Sequence, residues 1–443
     1  MRIVFYSTNS DRFDGETFEI RTVPSCGCMM DRTAEMFPEH ELIAATQLPA
    51  IYAADYRGNS VLSTSRLTET VILRGTSPAE CASEILALGP DLAFAVPFWT
   101  SGHDWLGLND ALVAEILRKN GVAAVSHPVG TASACADKFM THLALEKAGI
   151  TAPGYVYVHN GRYRCAMGHP EIRTNVYREE ALRGLAGLRF PVVIKDSDGL
   201  SSHGMEVAVS PAQAVHFLDS KRNRSDRIVE EFIGGTQFGA EIHGRPGHYT
   251  VLPPVMMSVN RYGITSPRQC MKAGPLISGT DGPEEMLASL AEFLRLEGTA
   301  QVDLVRGQDG WYVLDINTRL SGMSQLYASS AGIPLFAMLL QDTLGDGENR
   351  RVFRPVLNFK LPPVEDSVMD RISRFPHTVR TEKFHDLRAD QKRAEGWCEV
   401  TLAASAPEWL YAAAVEFAAE FPDLTDPSFA GTARSMTEKL VES

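Results

Sequence analysis

No apolar run in this sequence approaches the ~20 residues needed to cross a bilayer, so no membrane-spanning helix is expected. The N-terminus, Met1-Arg-Ile-Val-Phe-Tyr-Ser7, reads as a strand and lacks the long apolar stretch and small-residue cleavage site of a signal peptide. The expected compartment is therefore the cytoplasm. Long Lys/Arg runs are also missing, and the net charge is −13, from 42 basic against 55 acidic side chains. A nucleic-acid partner demands a basic face, so that class is excluded. The seven cysteines are scattered and odd in number. Only Cys26-Gly-Cys28 is closely spaced, and without a second pair it is no metal-ligand framework. Internal repeats, low-complexity tracts and the glycine spacings of a Walker A loop or a Rossmann fingerprint are absent.

What is present is an ordinary globular composition, 44% hydrophobic and 22% charged, over 443 residues. That length is too great for one core and implies two to four packed units. Residues 1–128 alternate short apolar runs (Arg2–Tyr6, Leu92–Val96, Val122–Val125) with helical spacing at Ala111–Lys119, which Asn109-Asp110 is placed to cap. Strands separated by helices predict a small parallel α/β domain. Residues 129–233 open with helical spacing over Thr131–Gly149 and continue as short strands around one or two helices. Residues 234–345 carry strand-like runs at Ala240–His243, Ala300–Val305 and Trp311–Ile316, with helices at Glu284–Arg295 and Pro334–Thr343. A polar stretch at Gly345–Arg351 leads into residues 346–443, a C-terminal α/β part with a strand at Cys398–Leu402 and a helix at Pro407–Phe421.

Chemistry is concentrated in four places. The first is Phe190-Pro-Val-Val-Ile-Lys195-Asp-Ser-Asp-Gly199-Leu-Ser201-Ser202-His-Gly204, a buried strand that delivers a lysine into a Gly/Ser loop. Phosphate oxygens need cations and closely approaching N–H donors, which glycine permits; taken alone, a β-hairpin with a polar turn reads as well. The second is Ala300-Gln301-Val-Asp303 with Trp311-Tyr-Val-Leu-Asp315-Ile-Asn317-Thr-Arg319. Strand alternation puts Asp315 and Asn317 on one face. With Asp303 on a neighbouring strand, they offer the hard oxygen donors magnesium prefers. Polar residues in an otherwise apolar run are costly without such a partner, which weighs against three merely solvated side chains. Third, Arg227-Ile-Val-Glu230-Glu231-Phe-Ile233-Gly-Gly ends a strand in a hinge-like turn suited to an adenine edge, though a plain strand and turn would look the same. Fourth, Ala136-Asp137-Lys138 opens a helix whose lysine is within reach of a phosphate, a position more often simply solvated.

In this order the four elements resemble the ATP-grasp superfamily, specifically the D-alanine–D-alanine ligases and biotin carboxylases, over roughly residues 92 to 345. The resemblance implies an ATP-grasp fold with an N-terminal parallel domain, and an ATP- and magnesium-dependent (or manganese-dependent) ligase. Such a ligase forms an amide or peptide bond between amino-acid-like substrates, a small-molecule carboxylate and an amine, through an acyl-phosphate, with ADP and phosphate released. It further implies that Lys138 and Lys195 hold phosphates, that the Gly199–Gly204 loop with Ser201 and Ser202 closes over them, and that Glu230, Glu231 and Ile233 receive adenine. Asp303, Asp315 and Asn317 become the metal ligands, and Arg319 orients the acceptor or stabilises the acyl-phosphate. The family also suggests a homodimer. Three departures stand out. Gln237 replaces a ribose-binding glutamate, passing that contact to Gln237 or Glu241. Gln301 replaces an arginine of the D-alanine ligases, leaving Arg268, Lys272 and Arg319 to stabilise the tetrahedral intermediate. Asp315 is one methylene shorter than the common glutamate. Two other readings remain: a biotin-carboxylase-like enzyme, suggested by Asn317-Thr-Arg319, and a non-catalytic ATP-binding module. Trp99, His103 and Trp105, at the end of a strand, are placed either to select a substrate or to pack.

Overall fold

The computed structural model describes all residues except 9–11, 14–15, 25, 48–67, 98–106, 168, 170, 199–204, 265–269, 277–281, 346–350, 387–396 and 443. Three sheets organise them. The first is parallel and five-stranded, and is built from Arg2–Ser7, Glu41–Thr46, Glu69–Ile72, Leu92–Ala95 and Ala123–Val125, with Arg2–Ser7 at its centre. Near-continuous apolar strands such as Ile3–Tyr6 are what a sheet covered on both faces requires. The helices Pro78–Ala87 and Leu108–Lys119 supply one cover. Here the expected cap is displaced: Leu108–Lys119 starts at Gly107 with no side-chain cap. Asp110 instead turns inward and accepts from Ser7 Oγ at 3.1 Å, Thr8 N at 2.7 Å and Thr8 Oγ1 at 2.6 Å. Burial pushes its carboxyl up to about 6 despite those bonds.

The second sheet has four strands in the order Glu206–Ala208, Val192–Asp196, Arg227–Glu231, Tyr155–Val158, backed by Val176–Ala186 and Pro211–Asp219. The helical run expected from Thr131 to Gly149 is two helices, Val129–Cys135 and Lys138–Ala148. The break falls at Asp137, whose extended backbone and carboxylate cap the second helix by accepting from Phe139 N at 2.8 Å and Met140 N at 3.2 Å.

The third sheet is antiparallel and has eleven strands among the described residues, ten in one path and His248–Val251 paired beside it to Thr236–Arg245. From Gly310–Asn317 it runs through Gly298–Gly307, Thr236–Arg245, Val255–Met257 and Lys272–Gly274 to Val356–Leu361, Trp397–Ala403 and Thr378–Asp386, and ends on Glu16–Val23 and Arg12–Phe13 from the other end of the chain. The C-terminal strands thus extend the central sheet instead of forming one of their own. One face is apolar: Phe238, Ala240, Ile242, Ala300, Val302, Leu304, Phe359 and Val400 pack on helices Glu284–Leu294, Pro407–Glu420 and Phe429–Glu442. The alternate residues, Gln237, Glu241, Gln301, Asp303, Asn317, Lys272 and Lys360, fall on the opposite face by the period of two. No helix among the described residues is long and apolar enough to cross a membrane.

Candidate active site

The two lysines arrive by separate routes that are stapled together. Val192, Ile194 and Val229 point into the core of the small sheet. Val193, Lys195, Ile228 and Glu230 therefore share its other face, with Val193 opposite Glu230 and Lys195 opposite Ile228. Lys195 Nζ donates to Glu230 Oε2, and His142 Nε2 lies 3.0 Å from Glu230 Oε1. Burial would raise the Glu230 carboxyl, but the Lys195 charge and the His142 hydrogen bond hold it down at about 2. An ammonium carries three N–H donors, so pairing with Glu230 does not exhaust Lys195. Lys138 begins the helix capped by Asp137; its amide donates to Ser197 O at 2.8 Å, and Ser197 Oγ donates to Asp137 Oδ1 at 2.8 Å. Helix start and strand end are thus tied just before the 199–204 loop. That loop holds Gly199, Ser201, Ser202 and Gly204 and lies outside the described residues.

Lys138 Nζ reaches Asp315 Oδ2 at 3.0 Å and so joins the phosphate side to the carboxylate side. Asp303 lies directly opposite Asp315 across the two long strands, and Gln301 opposite Asn317. A register shift beside Asp303 brings Leu304 opposite Val313. This bulge turns Asp315 away from the buried Val313 and onto the side of Asn317. Two facing carboxylates repel one another: burial and then the Asp315 charge push the Asp303 carboxyl up to about 6, against the lowering effect of Gln301 and Arg319. A facing pair of hard oxygen donors, with an amide oxygen from Asn317 at hand, fits a divalent cation of the magnesium type. Among the described residues no three His, Cys, Asp or Glu side chains gather as a metal cluster. Arg319 is buried and its Nη2 donates to Asn317 Oδ1 at 2.9 Å.

The segment expected to receive adenine is held by internal bonds. Glu231 gives its carboxylate to Arg189, at 2.9 Å from the amide N and 2.7 Å from Nη2, and its own amide to Gly154 O at 2.8 Å. Phe232 N donates to Pro191 O at 3.0 Å. Gly235 is forced by close approach, since a Cβ there would sit 2.2 Å from Arg306 O. Gln237 is nearly buried beneath the 260–264 turn, 2.2 Å from where a Cβ on Gly263 would lie. Glu241, the other residue expected to take up the ribose contact, is fully buried. Its Oε1 accepts from Ser321 Oγ at 2.9 Å and Ser324 Oγ at 2.6 Å, and its Oε2 lies 3.1 Å from His243 Nε2. It anchors the turn after Arg319 and is not open to a ribose.

Lys272 reaches that same turn, with Nζ 3.1 Å from where a Cβ on Gly322 would lie. Leu320 N donates to Pro97 O at 2.8 Å, which ties the N-terminal sheet to the Arg319 segment. Arg268, Trp99, His103 and Trp105 lie outside the described residues. The sequence reading missed His142, although it stands four residues after Lys138 and so shares its helical face. It also missed the His243–Asp342–Arg351 chain, which spans 108 positions from His243 to Arg351 and leaves no local pattern.

Comparison with known proteins fits this geometry. Residues 135–323 match the family model of an ATP-grasp domain. Among solved structures, an ADP complex of N5-carboxyaminoimidazole ribonucleotide synthetase superposes with a TM-score of 0.63 at 16% identity, over 94% of this chain and 95% of that one. L-amino acid ligase from Bacillus licheniformis gives 0.62 at 15%, over 96% and 98%. The biotin carboxylase domain of Hydrogenobacter thermophilus 2-oxoglutarate carboxylase, with MgADP, ADP and bicarbonate, gives 0.59 at 12%, over 97% and 95%. At these identities the likeness is one of fold. The family match over residues 135–323 bears out the resemblance read from the four motifs, and the chain as a whole shares the fold of these structures.

Proposed function

We propose that this chain is an ATP-dependent ligase that joins a carboxylate to an amine, with ADP and phosphate as by-products. The observation that carries the reading is the like-charged Asp303–Asp315 pair, bridged to Lys138 on one side and followed by Arg319 on the other. Carboxylate and ATP are both anionic, so the reaction needs cations fixed before the reactants meet. Lys138 and Lys195 hold the phosphates. Backbone groups at Glu230–Ile233 take the adenine edge. Asp303, Asp315 and Asn317 hold magnesium, which when bound neutralises phosphate charge. Arg319 orients the donor carboxylate for in-line attack on the γ-phosphorus, which forms an acyl-phosphate as ADP leaves. The amine then attacks the acyl carbon, the C–O bond to phosphate breaks, and phosphate departs.

The polar face of the large sheet continues past the metal side to Lys272, Lys360 and Arg380. This supports placing the amine and its substituents over the C-terminal strands, with Lys272 beside the reacting carbonyl.

The test is nucleotide and phosphate release with magnesium across a panel of amino acids, singly and in pairs, with products weighed by mass spectrometry. ADP formed only with a productive pair, together with a new amide mass, supports the ligase. AMP would sink acyl-phosphate chemistry. Phosphate release dependent on bicarbonate and not on an amine pair would favour the carboxylating alternative suggested by Asn317-Thr-Arg319.

A further inference from the structure

We propose that Gln301 is a positioning residue that couples Arg319 to the metal-binding carboxylate of Asp303 through a one-way relay of amides. Gln301 is buried on the strand between Glu241 and Asn317, and both ends of its amide are engaged. Its Nε2 donates to Asp303 Oδ1 at 2.7 Å, and its Oε1 accepts from Asn317 Nδ2 at 3.0 Å. Asn317 Oδ1 in turn accepts from Arg319 Nη2 at 2.9 Å. Donors and acceptors therefore run in one sense, from guanidinium through two amides to carboxylate.

That sense is dictated at both ends. A guanidinium only donates and an ionised carboxylate only accepts. Asp303 turns the nitrogen of Gln301 toward itself, which turns the Gln301 oxygen toward Asn317. Asn317 must then present its nitrogen to Gln301 and its oxygen to Arg319. Hydrogen bonds in series polarise one another, so a change at Asp303 is felt at Arg319 and the reverse. An apolar side chain at 301 would leave the Asn317 NH2 without its acceptor and the Asn317 amide fixed by Arg319 alone. Gln301 thus does more than replace a residue expected to touch the reacting centre: together with Arg319 it holds the Asn317 amide in one orientation.

The inference rests on Asp303 and Asn317 as metal ligands, and the test separates the two claims. Manganese binding to the full-length protein with ADP is followed by electron paramagnetic resonance of the free ion, for wild type, Gln301→Met, Arg319→Lys and the double variant. Met matches Gln in volume, and Lys keeps the charge of Arg319 while losing its fork. Gln301→Met is expected to weaken manganese binding about ten-fold or more, the usual effect of losing an outer-shell partner. Arg319→Lys is expected to weaken it several-fold in wild type and to have no further effect in Gln301→Met. A purely structural Gln301 would lower the unfolding temperature yet leave the effect of Arg319→Lys the same in both backgrounds, which would overturn the proposal. Unchanged manganese affinity in Gln301→Met would overturn it too. Failure of wild type to bind manganese would overturn the metal reading along with it. Should Gln301→Met not fold, Gln301→Asn, polar but one methylene too short to reach both partners, carries the same cycle.

Discussion

Glu241 and Asp303 lie on neighbouring strands of one sheet face, two residues apart in register, and their surroundings treat them in opposite ways. Glu241 meets two serine hydroxyls and His243; His243 meets Asp342 at 2.7 Å, and Asp342 meets Arg351 at 2.8 Å. Two carboxylates and two cations alternate in that chain. Burial would lower the His243 imidazolium, yet Asp342 and Glu241 raise it to about 9, and Asp342 is held below the usual carboxylate range. Asp303 instead faces another aspartate, its nearest support is an amide, and its carboxyl is pushed up to about 6. A buried charge network in which opposite charges alternate is architecture, whereas two facing carboxylates are what the proposed cation site requires.

The contrast yields predictions of decreasing size. His243→Leu leaves Glu241 and Asp342 without their shared cation and should destabilise the fold by about 3–5 kcal/mol in urea unfolding. Affinity for ADP per folded molecule should survive. Asp303→Asn should do the reverse: it removes like-charge repulsion, so the metal-free protein unfolds no more easily than wild type, while turnover falls at least about 100-fold. If Asp303→Asn proves the less stable and remains active, the distinction between the two clusters collapses.

Titration sharpens it further. The folded-state value of His243 lies above its ordinary one, so its contribution is fully present below about 6.5 and is lost as pH rises through about 9. Asp303 is a carboxyl whose folded-state value is also raised. The folded protein holds its proton longer, and the metal-free protein loses stability as pH climbs from about 4 to about 6. Asp110 contributes in the same sense over the same range, so the informative quantity is wild type minus Asp303→Asn, and magnesium with ADP should flatten that difference. Smallest of all, Arg189→Ala removes an exposed partner of Glu231 and should leave the unfolding midpoint unchanged, because the hinge is held by Glu231 N and Phe232 N.

Local pattern exposed much of this molecule. The strands at Arg2, Ala240, Ala300, Trp311 and Cys398 and the helices at Glu284 and Pro407 were legible because periodicity and turn residues act within one segment. Asp315 and Asn317 were legible as a pair for the same reason, yet the bulge that aims Asp315 was not, since it arises between strands. Asp110 reads locally as a helix cap, but a partner 102 positions away at Thr8 outweighs that preference. The resemblance offers Glu241 to a ribose, but the turn Ser321–Ser324, folded over the strand at Gly239, closes it off. A Cβ at Gly239 would lie 2.4 Å from Met323 Cε, which shows how closely that turn approaches. Substrate choice stayed out of reach of the sequence, because the seat proposed for the amine draws on strands as far apart as Lys272–Gly274 and Val356–Leu361.

The most direct test of the proposed chemistry follows the donor oxygen. With a productive pair in hand, the carboxylate is labelled with 18O and the released phosphate is weighed. One label in phosphate, with ADP as the nucleotide product, is the expected result, because the oxygen that attacks phosphorus leaves with it. Unlabelled phosphate, or label carried into AMP, would contradict an acyl-phosphate formed between Lys195, Asp303 and Arg319.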